Sequence, residues 1–400
     1  MVKPALLLAA PHRLPFLVGA VQMVALMGWW LMILSGLHFD TAAPGGGIIP
    51  PTLLHAPLLL YMFVPPLFFG FLLTVFPRWM GYPDLDKASY APVGIGYAAA
   101  ALVSWAGLAL GNDMVLTAAF LLALLSSLWG SGALLMVALR ERRDGKGPTW
   151  HGWSILAAMA FGLAGQAALL VFLANPADAD ALSIANRIGL WAFLIPVFLT
   201  VCHRMVPFFA ANVVQGYVRW RPDWLLVAFW GGTLLLLAGT LGDYPIVAAL
   251  GAVALAALTA LMAVRWWPRG AAPALLWVLI LGFAWAPVGY ALAALSHLGV
   301  PLGRAPEHAL TIGFAGSLIV AMVTRVTQGH SGRPLELPAV GKFAFAGIQA
   351  AALARTIAAI RDESGPWLVT SAALFLIALA PWVVRNAAIY LSPRKDGKAG

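Results

Sequence analysis

Cysteine and charge are what this chain has least of. A single cysteine, Cys202, stands among 400 residues, which excludes an intramolecular disulfide and any zinc or iron–sulfur site built from several cysteines of this chain. Charged residues make up only 10% of the sequence, too few to cover the surface of a water-soluble domain of this length. The signatures of common soluble enzymes are missing as well: there is no phosphate-binding loop, no dinucleotide glycine pattern in a strand–helix context, no HExxH and no GxSxG elbow. Those absences argue against an NTPase or a hydrolase. No hydrophilic domain, coiled coil or low-complexity segment interrupts the chain before a short charged tail after Ser392.

What is there is hydrocarbon. Hydrophobic residues reach 62% and the mean hydropathy is +0.88. The apolar residues come in runs of roughly twenty, the length that crosses about 30 Å of lipid at 1.5 Å per helical residue. The expected fold class is therefore all-α: a polytopic membrane helix bundle of about twelve transmembrane helices forming a single domain over residues 1–400. Spans are expected near 14–38, 52–76, 92–110, 114–139, 151–174, 182–205, 223–241, 244–264, 272–298, 306–327, 342–360 and 366–391. The first run, Leu14 to Leu37, lacks a small-residue cleavage site at its end and is read as a retained helix.

The formal charge of +9 follows this topology and needs no nucleic acid to explain it. Basic residues collect at alternate loops: Lys3 and Arg13; Arg78 and Lys87; Arg140, Arg142, Arg143 and Lys146; Arg219 and Arg221; Arg265 and Arg269; Arg333 and Lys342; Arg394, Lys395 and Lys398. The opposite loops, such as 40–51 and 175–181, contain no Lys or Arg. By the positive-inside rule the basic side is cytoplasmic, so both termini, about 1–13 and 392–400, are expected there.

On that topology His38, His55, His297 and His308 lie near outer helix ends, and His12, His151, His203 and His330 near inner ones. An interfacial imidazole ordinarily bonds backbone or headgroups, and His38, His297 and His151 are read that way. His55 and His308 differ, because each falls within the first turns of a long apolar span, where a partner is required. Two imidazoles from different helices suit the axial positions of a haem iron. Arg187 and Arg355 lie inside apolar stretches on the outer side and call for an anion. Haem propionates would serve, as would Asp178, Asp180, Glu307, Asp362 and Glu363, or snorkelling to the surface. At the inner side, Cys202-His203-Arg204-Met205 and Gln328-Gly329-His330 offer groups that copper accepts, although Cys202 and Met205 are read as packing. Gly162, Gly165, Gly313, Gly316 and Gly329 are read as points of close helix approach.

Three spans end alike, at Thr74, Thr200 and Thr324, which are 126 and 124 residues apart. That spacing suits three four-helix repeats, or is coincidence; a real repeat would oppose a transporter of two six-helix halves. Twelve helices in three arcs would be similar to the haem–copper oxidases, but no span carries the closely spaced histidines of that class.

Four segments together resemble one family. His12-Arg13-Leu14-Pro15-Phe16, His55-Ala56-Pro57 through Gly70-Phe71-Leu72-Leu73-Thr74, His203-Arg204-Met205-Val206-Pro207-Phe208-Phe209, and His308-Ala309-Leu310-Thr311 through His330-Ser331-Gly332-Arg333-Pro334 resemble the NnrS family over nearly the whole chain. The resemblance implies a haem- and copper-containing protein of the bacterial inner membrane, linked to nitric oxide metabolism and to protection from nitrosative stress. One departure is visible: many members read His-Ala-His-Glu where this chain has His55-Ala56-Pro57-Leu58, so a second ligand and a carboxylate are missing at that point. The expectation is a haem of b type bound by His55 and His308, with Arg187 and Arg355 on its propionates. His203, His330 and His12 are the further metal-ligand candidates, copper the second metal and nitric oxide the small-molecule partner. The electron donor is left open. An oxidoreductase acting on nitric oxide is one reading. The other is a transporter of a metal or a nitrosylated iron species, its helices broken at Pro65, Pro66, Pro196 and Pro287.

Overall fold

Helix boundaries follow capping chemistry. Asp86 accepts the Ser89 amide at 2.9 Å, Asn112 accepts those of Met114 and Val115 at 3.0 and 3.1 Å, and Asp178 accepts that of Ala181 at 2.9 Å. Each satisfies amides that a starting helix leaves without partners. A computed structural model describes residues 4–44, 46–361 and 364–397; Lys3, Asp362, Glu363 and Lys398, named above, lie outside the described residues. Among these, twelve helices are long and apolar enough to cross a membrane: α1 Arg13–Phe39, α2 Pro51–Trp79, α3 Lys87–Leu110, α4 Asp113–Arg143, α5 Trp150–Ala174, α6 Ala179–Val213, α7 Trp224–Leu241, α8 Pro245–Trp266, α9 Ala274–His297, α10 Ala305–His330, α11 Ala339–Ile360 and α12 Gly365–Tyr390. No strand occurs among the described residues. The protein is an all-α, multi-pass membrane bundle, as expected. The largest boundary difference is at α6, which continues through Pro207 to Val213 rather than ending near 205.

Three of the twelve differ from the rest. The most apolar windows of α2, α6 and α10 are 89%, 78% and 78% buried, and no other exceeds 56%. The same three contain π-helical segments: Leu59–Phe63 in α2, Ile188–Leu194 in α6 and Ala309–Gly316 in α10. Proline explains two of them. It has no N–H and its ring presses on the carbonyl four residues earlier; Pro65 and Pro66 project that clash onto Tyr61 and Met62, and Pro196 onto Ala192, inside the widened turns. Pro287 likewise follows the interruption of α9 at Ala284. The α10 segment has no such proline and contains Gly313 and Gly316. Recurrence at four-helix intervals matches the spacing of Thr74, Thr200 and Thr324, although those threonines make different bonds: Thr74 donates to Gly70 at 2.8 Å and Thr324 accepts from Trp382 at 2.9 Å.

The chain divides into two compact units, residues 1–194 with 383–400, and residues 195–382. In the first, the Arg13 guanidinium donates to the carbonyls of Tyr390 and Ser392 at 3.1 and 3.0 Å, tying the start of α1 to the end of α12. Several polar side chains there pair with one another: Trp105 donates to Gln22 at 2.6 Å, and Gln166 donates to Ser127 at 2.9 Å while Ser127 and Tyr97 share a 2.5 Å bond. In the second unit Trp285 donates to Gln349 at 2.7 Å and Gln349 to Ser317 at 2.6 Å. Hydrocarbon offers no alternative partner, so such bonds form within the bundle. Of the glycines read as points of close approach, three are: a Cβ would lie 2.6 Å from the Phe193 ring at Gly162, 2.2 Å from the Tyr61 hydroxyl at Gly165 and 2.4 Å from the Trp285 ring at Gly313. At Gly316 and Gly329 the nearest atom is 3.6 Å away, which is ordinary contact.

Candidate functional site

The first unit builds one corner at the opening turns of α2 and α6, which pack against each other. Pro51 starts α2 with the φ angle a first turn needs. His55 follows one turn on, half-buried, its ring stacked on Trp30 of α1 at 4.0 Å and 20°. Asp178 caps α6, and Arg187, half-buried, is the last residue before its π segment. The backbone beneath Arg187 is pinned from α2, because the buried Tyr61 hydroxyl donates to the Ala185 carbonyl at 2.6 Å. Gly165 and Gly189 make room for that hydroxyl; a Cβ on either would lie 2.2 or 2.5 Å from it.

The second unit builds a similar corner. The opening turns of α10 pack against α11, with Ala305 and Ala359 in a small apolar cluster beside Leu302. His308, half-buried, immediately precedes the π segment of α10. Its Nδ1 lies 2.8 Å from the Arg304 carbonyl. A carbonyl only accepts, so Nδ1 carries the hydrogen, the contact by which a backbone carbonyl orients metal-ligating histidines. Arg355 lies on α11, half-buried and five residues from its end. Of the acids considered as partners for the two arginines, Glu307 pairs with Arg304 at 3.3 Å and Asp178 is spent on its cap.

The family model described as NnrS protein matches residues 6–394. The chain belongs to the NnrS family. It is a multi-pass membrane protein of the nitric oxide response. No curated protein matches it.

The remaining NnrS motif residues fall elsewhere. His12 is buried at the head of α1, edge-on to Phe16 at 5.9 Å. His203, buried on α6, is 6.4 Å from the Trp266 ring and hydrogen-bonds the Pro222 carbonyl. His330 is half-buried at the end of α10. Cys202 is fully buried, in keeping with packing. His38 and His297 lie in the last turns of α1 and α9; His151, expected in an interfacial belt, is buried while its neighbour Trp150 is exposed. Among the described residues, no three His, Cys, Asp or Glu side chains gather as a metal site. Haem does not need such a group, since the porphyrin supplies four donors and the protein one or two.

Sequence reasoning missed the residues that orient the candidates. Trp30 is one of seventeen tryptophans and nothing in its neighbours marks it as the partner of His55. The Arg304 carbonyl is invisible to any side-chain motif. Tyr61 had a signal, a phenol in a run of Leu, Met and Phe that needs an acceptor when buried, but its acceptor 124 residues away had none.

Proposed function

We propose that this NnrS protein binds haem through His55 and His308, with Arg187 and Arg355 receiving its propionates, and handles nitric oxide there. The observation that carries the reading is the recurrence of one arrangement in both units. In each, a half-buried histidine sits in the first turns of a deeply buried span, just ahead of a π segment, and packs its helix against one that carries a half-buried arginine. Turns of this kind are frequent at functional sites. The residues fit the group: the Arg304 carbonyl orients the His308 ring through Nδ1 at 2.8 Å, Trp30 stacks on the His55 ring, and the arginines supply planar forks for carboxylates. Haem, when bound, supplies an iron that takes up nitric oxide or passes electrons. The chain's own part is to orient imidazoles, neutralise carboxylates and keep water away. Nitric oxide is small, neutral and lipid-soluble, so the bundle requires no polar channel to admit it. His203 and His330 are proposed as a second, metal-binding pair suited to copper, and the bacterial inner membrane, with cytoplasmic termini, as the location.

The test is optical spectroscopy of the purified protein, oxidised and dithionite-reduced, with metal analysis, for wild type and the His55→Ala and His308→Ala variants. A haem Soret band that is lost or shifted in either variant supports the assignment. Its absence from wild-type protein prepared with ample haem refutes it. A second reading, transport of a metal or nitrosylated iron species, draws on the π segments at Pro65, Pro66 and Pro196 and the break before Pro287, since transporters interrupt helices in this way. Counterflow of iron in proteoliposomes would distinguish it.

A further inference from the structure

The second unit carries a run of stacked contacts, two rings with a guanidinium at each end, that the haem reading does not use. Arg325 of α10 lies over the Phe209 ring of α6 at 3.7 Å. Phe209 meets Phe208 at 5.7 Å, and Arg219, from the loop after α6, lies over Phe208 at 5.3 Å. The loop is held in place by Trp266, which donates to the Trp220 carbonyl at 2.9 Å, and by Tyr217, which donates to the Trp266 carbonyl at 3.4 Å. Arg265 covers the Trp220 ring at 5.3 Å.

A guanidinium stacked on a ring uses its face. Its N–H donors lie in the plane of the fork and stay available, aimed by the stack at whatever sits alongside. Among the described residues no carboxylate comes within ion-pair distance of Arg219, Arg265 or Arg325. The acids of the adjoining loops are Asp223 and Glu336 alone, against Arg219, Arg221, Arg269 and Arg333 in those loops and Arg265 in the last turn of α8. Arg333, whose amide bonds the Gln328 carbonyl at 3.1 Å, also keeps a buried Nη1 without a hydrogen-bond partner. An array of planar donors without acceptors, in a protein that spans a bilayer, matches a phosphate diester. Apolar surface lies beside it: Phe208 is 40% and Val218 81% exposed.

We propose that the Arg325–Phe209–Phe208–Arg219 ladder binds the phosphate of an anionic phospholipid, with the acyl chains along the exposed apolar side chains. The full chain in detergent, titrated with phosphatidylglycerol or phosphatidylcholine and followed by native mass spectrometry, tests it. Wild type should retain phosphatidylglycerol in preference to phosphatidylcholine. Arg219→Gln, on an exposed loop where folding is not at risk, and Arg325→Gln should each weaken phosphatidylglycerol retention by roughly tenfold, the size of one charge-assisted hydrogen bond. Arg325→Lys should recover only part of the loss, because it keeps charge without the fork. Equal retention of both lipids by wild type, or unchanged retention in Arg219→Gln and Arg325→Gln, overturns the proposal. Displacement of the lipid by millimolar inorganic phosphate overturns the lipid as occupant and leaves a free-anion site.

Discussion

The contact between Tyr61, Gly165 and Gly189 can be taken apart by substitution. A methyl at position 165 would lie 2.2 Å from the Tyr61 hydroxyl but 3.2 Å from the ring carbon that bears it. Gly165→Ala should therefore be destabilising by about 1–3 kcal/mol, the usual size of overpacking in a tight core. Tyr61→Phe removes the hydroxyl and its bond to Ala185 at 2.6 Å. That costs about 0.6–1 kcal/mol, as polar contacts between membrane helices do. In the double variant the clash is gone, the nearest atoms are the ring at 3.2 Å and the Ala185 carbonyl at 3.4 Å, and alanine gains up to about 1 kcal/mol of helix propensity over glycine. The two substitutions should thus couple favourably by about 1–3 kcal/mol. Gly313→Ala serves as the control: its methyl would meet Trp285 ring carbons at 2.4 and 2.7 Å, and neither residue has a contact with Tyr61, so that pair should be additive. Reversible unfolding in mixed micelles, followed by tryptophan fluorescence and circular dichroism, gives all the stabilities. If Tyr61→Phe with Gly165→Ala is as unstable as the two single losses added together, the hydroxyl is not what the glycine makes room for.

Two further outcomes follow from the helix ends. Arg13→Ala should cost about 2 kcal/mol, since charge-assisted bonds to two carbonyls are lost; hydrogen exchange should rise at residues 386–392 while α4 is unaffected. At α3, the Ser89 hydroxyl and amide hold the Asp86 carboxyl below the usual aspartate range. A lowered folded pKa means that the unfolded chain binds the proton more readily. The cap therefore contributes fully above the ordinary value of about 3.9 and is lost as pH falls through the lowered one. Amide protection at the start of α3 should drop on acidification, and Asp86→Asn should remove that dependence; a wild-type profile flat down to pH 2 contradicts the cap.

Helix number and boundaries were legible because hydropathy acts locally and the bilayer fixes a length. The main misjudged end, at α6, lies where Pro207 continues a helix that sequence logic stops. His55, His308, Arg187 and Arg355 stood out because a polar group in an apolar run demands a partner, and the motif resemblance pointed the same way. The π segments did not stand out. Two follow from prolines whose effect on the preceding turn was read as a break rather than a widening, and that of α10 has no such mark. The Arg304 carbonyl and the Phe208–Phe209 ladder depend on contacts between segments far apart in the chain, which periodicity does not encode.

Each π segment is also a change of phase. Every residue advances a helix by about 100°, and a wide turn absorbs a residue without lengthening the ladder of bonds. The two halves of α2 and of α10 thus present faces rotated relative to those of an uninterrupted helix. Deleting one residue within Leu59–Phe63 or Ala309–Gly316 would restore a regular helix of nearly the same length. It would keep every side chain downstream in its place and swing His55 or His308 to another side of the rod. The position of an imidazole around its helix is set, in this fold, by a turn that lies after it.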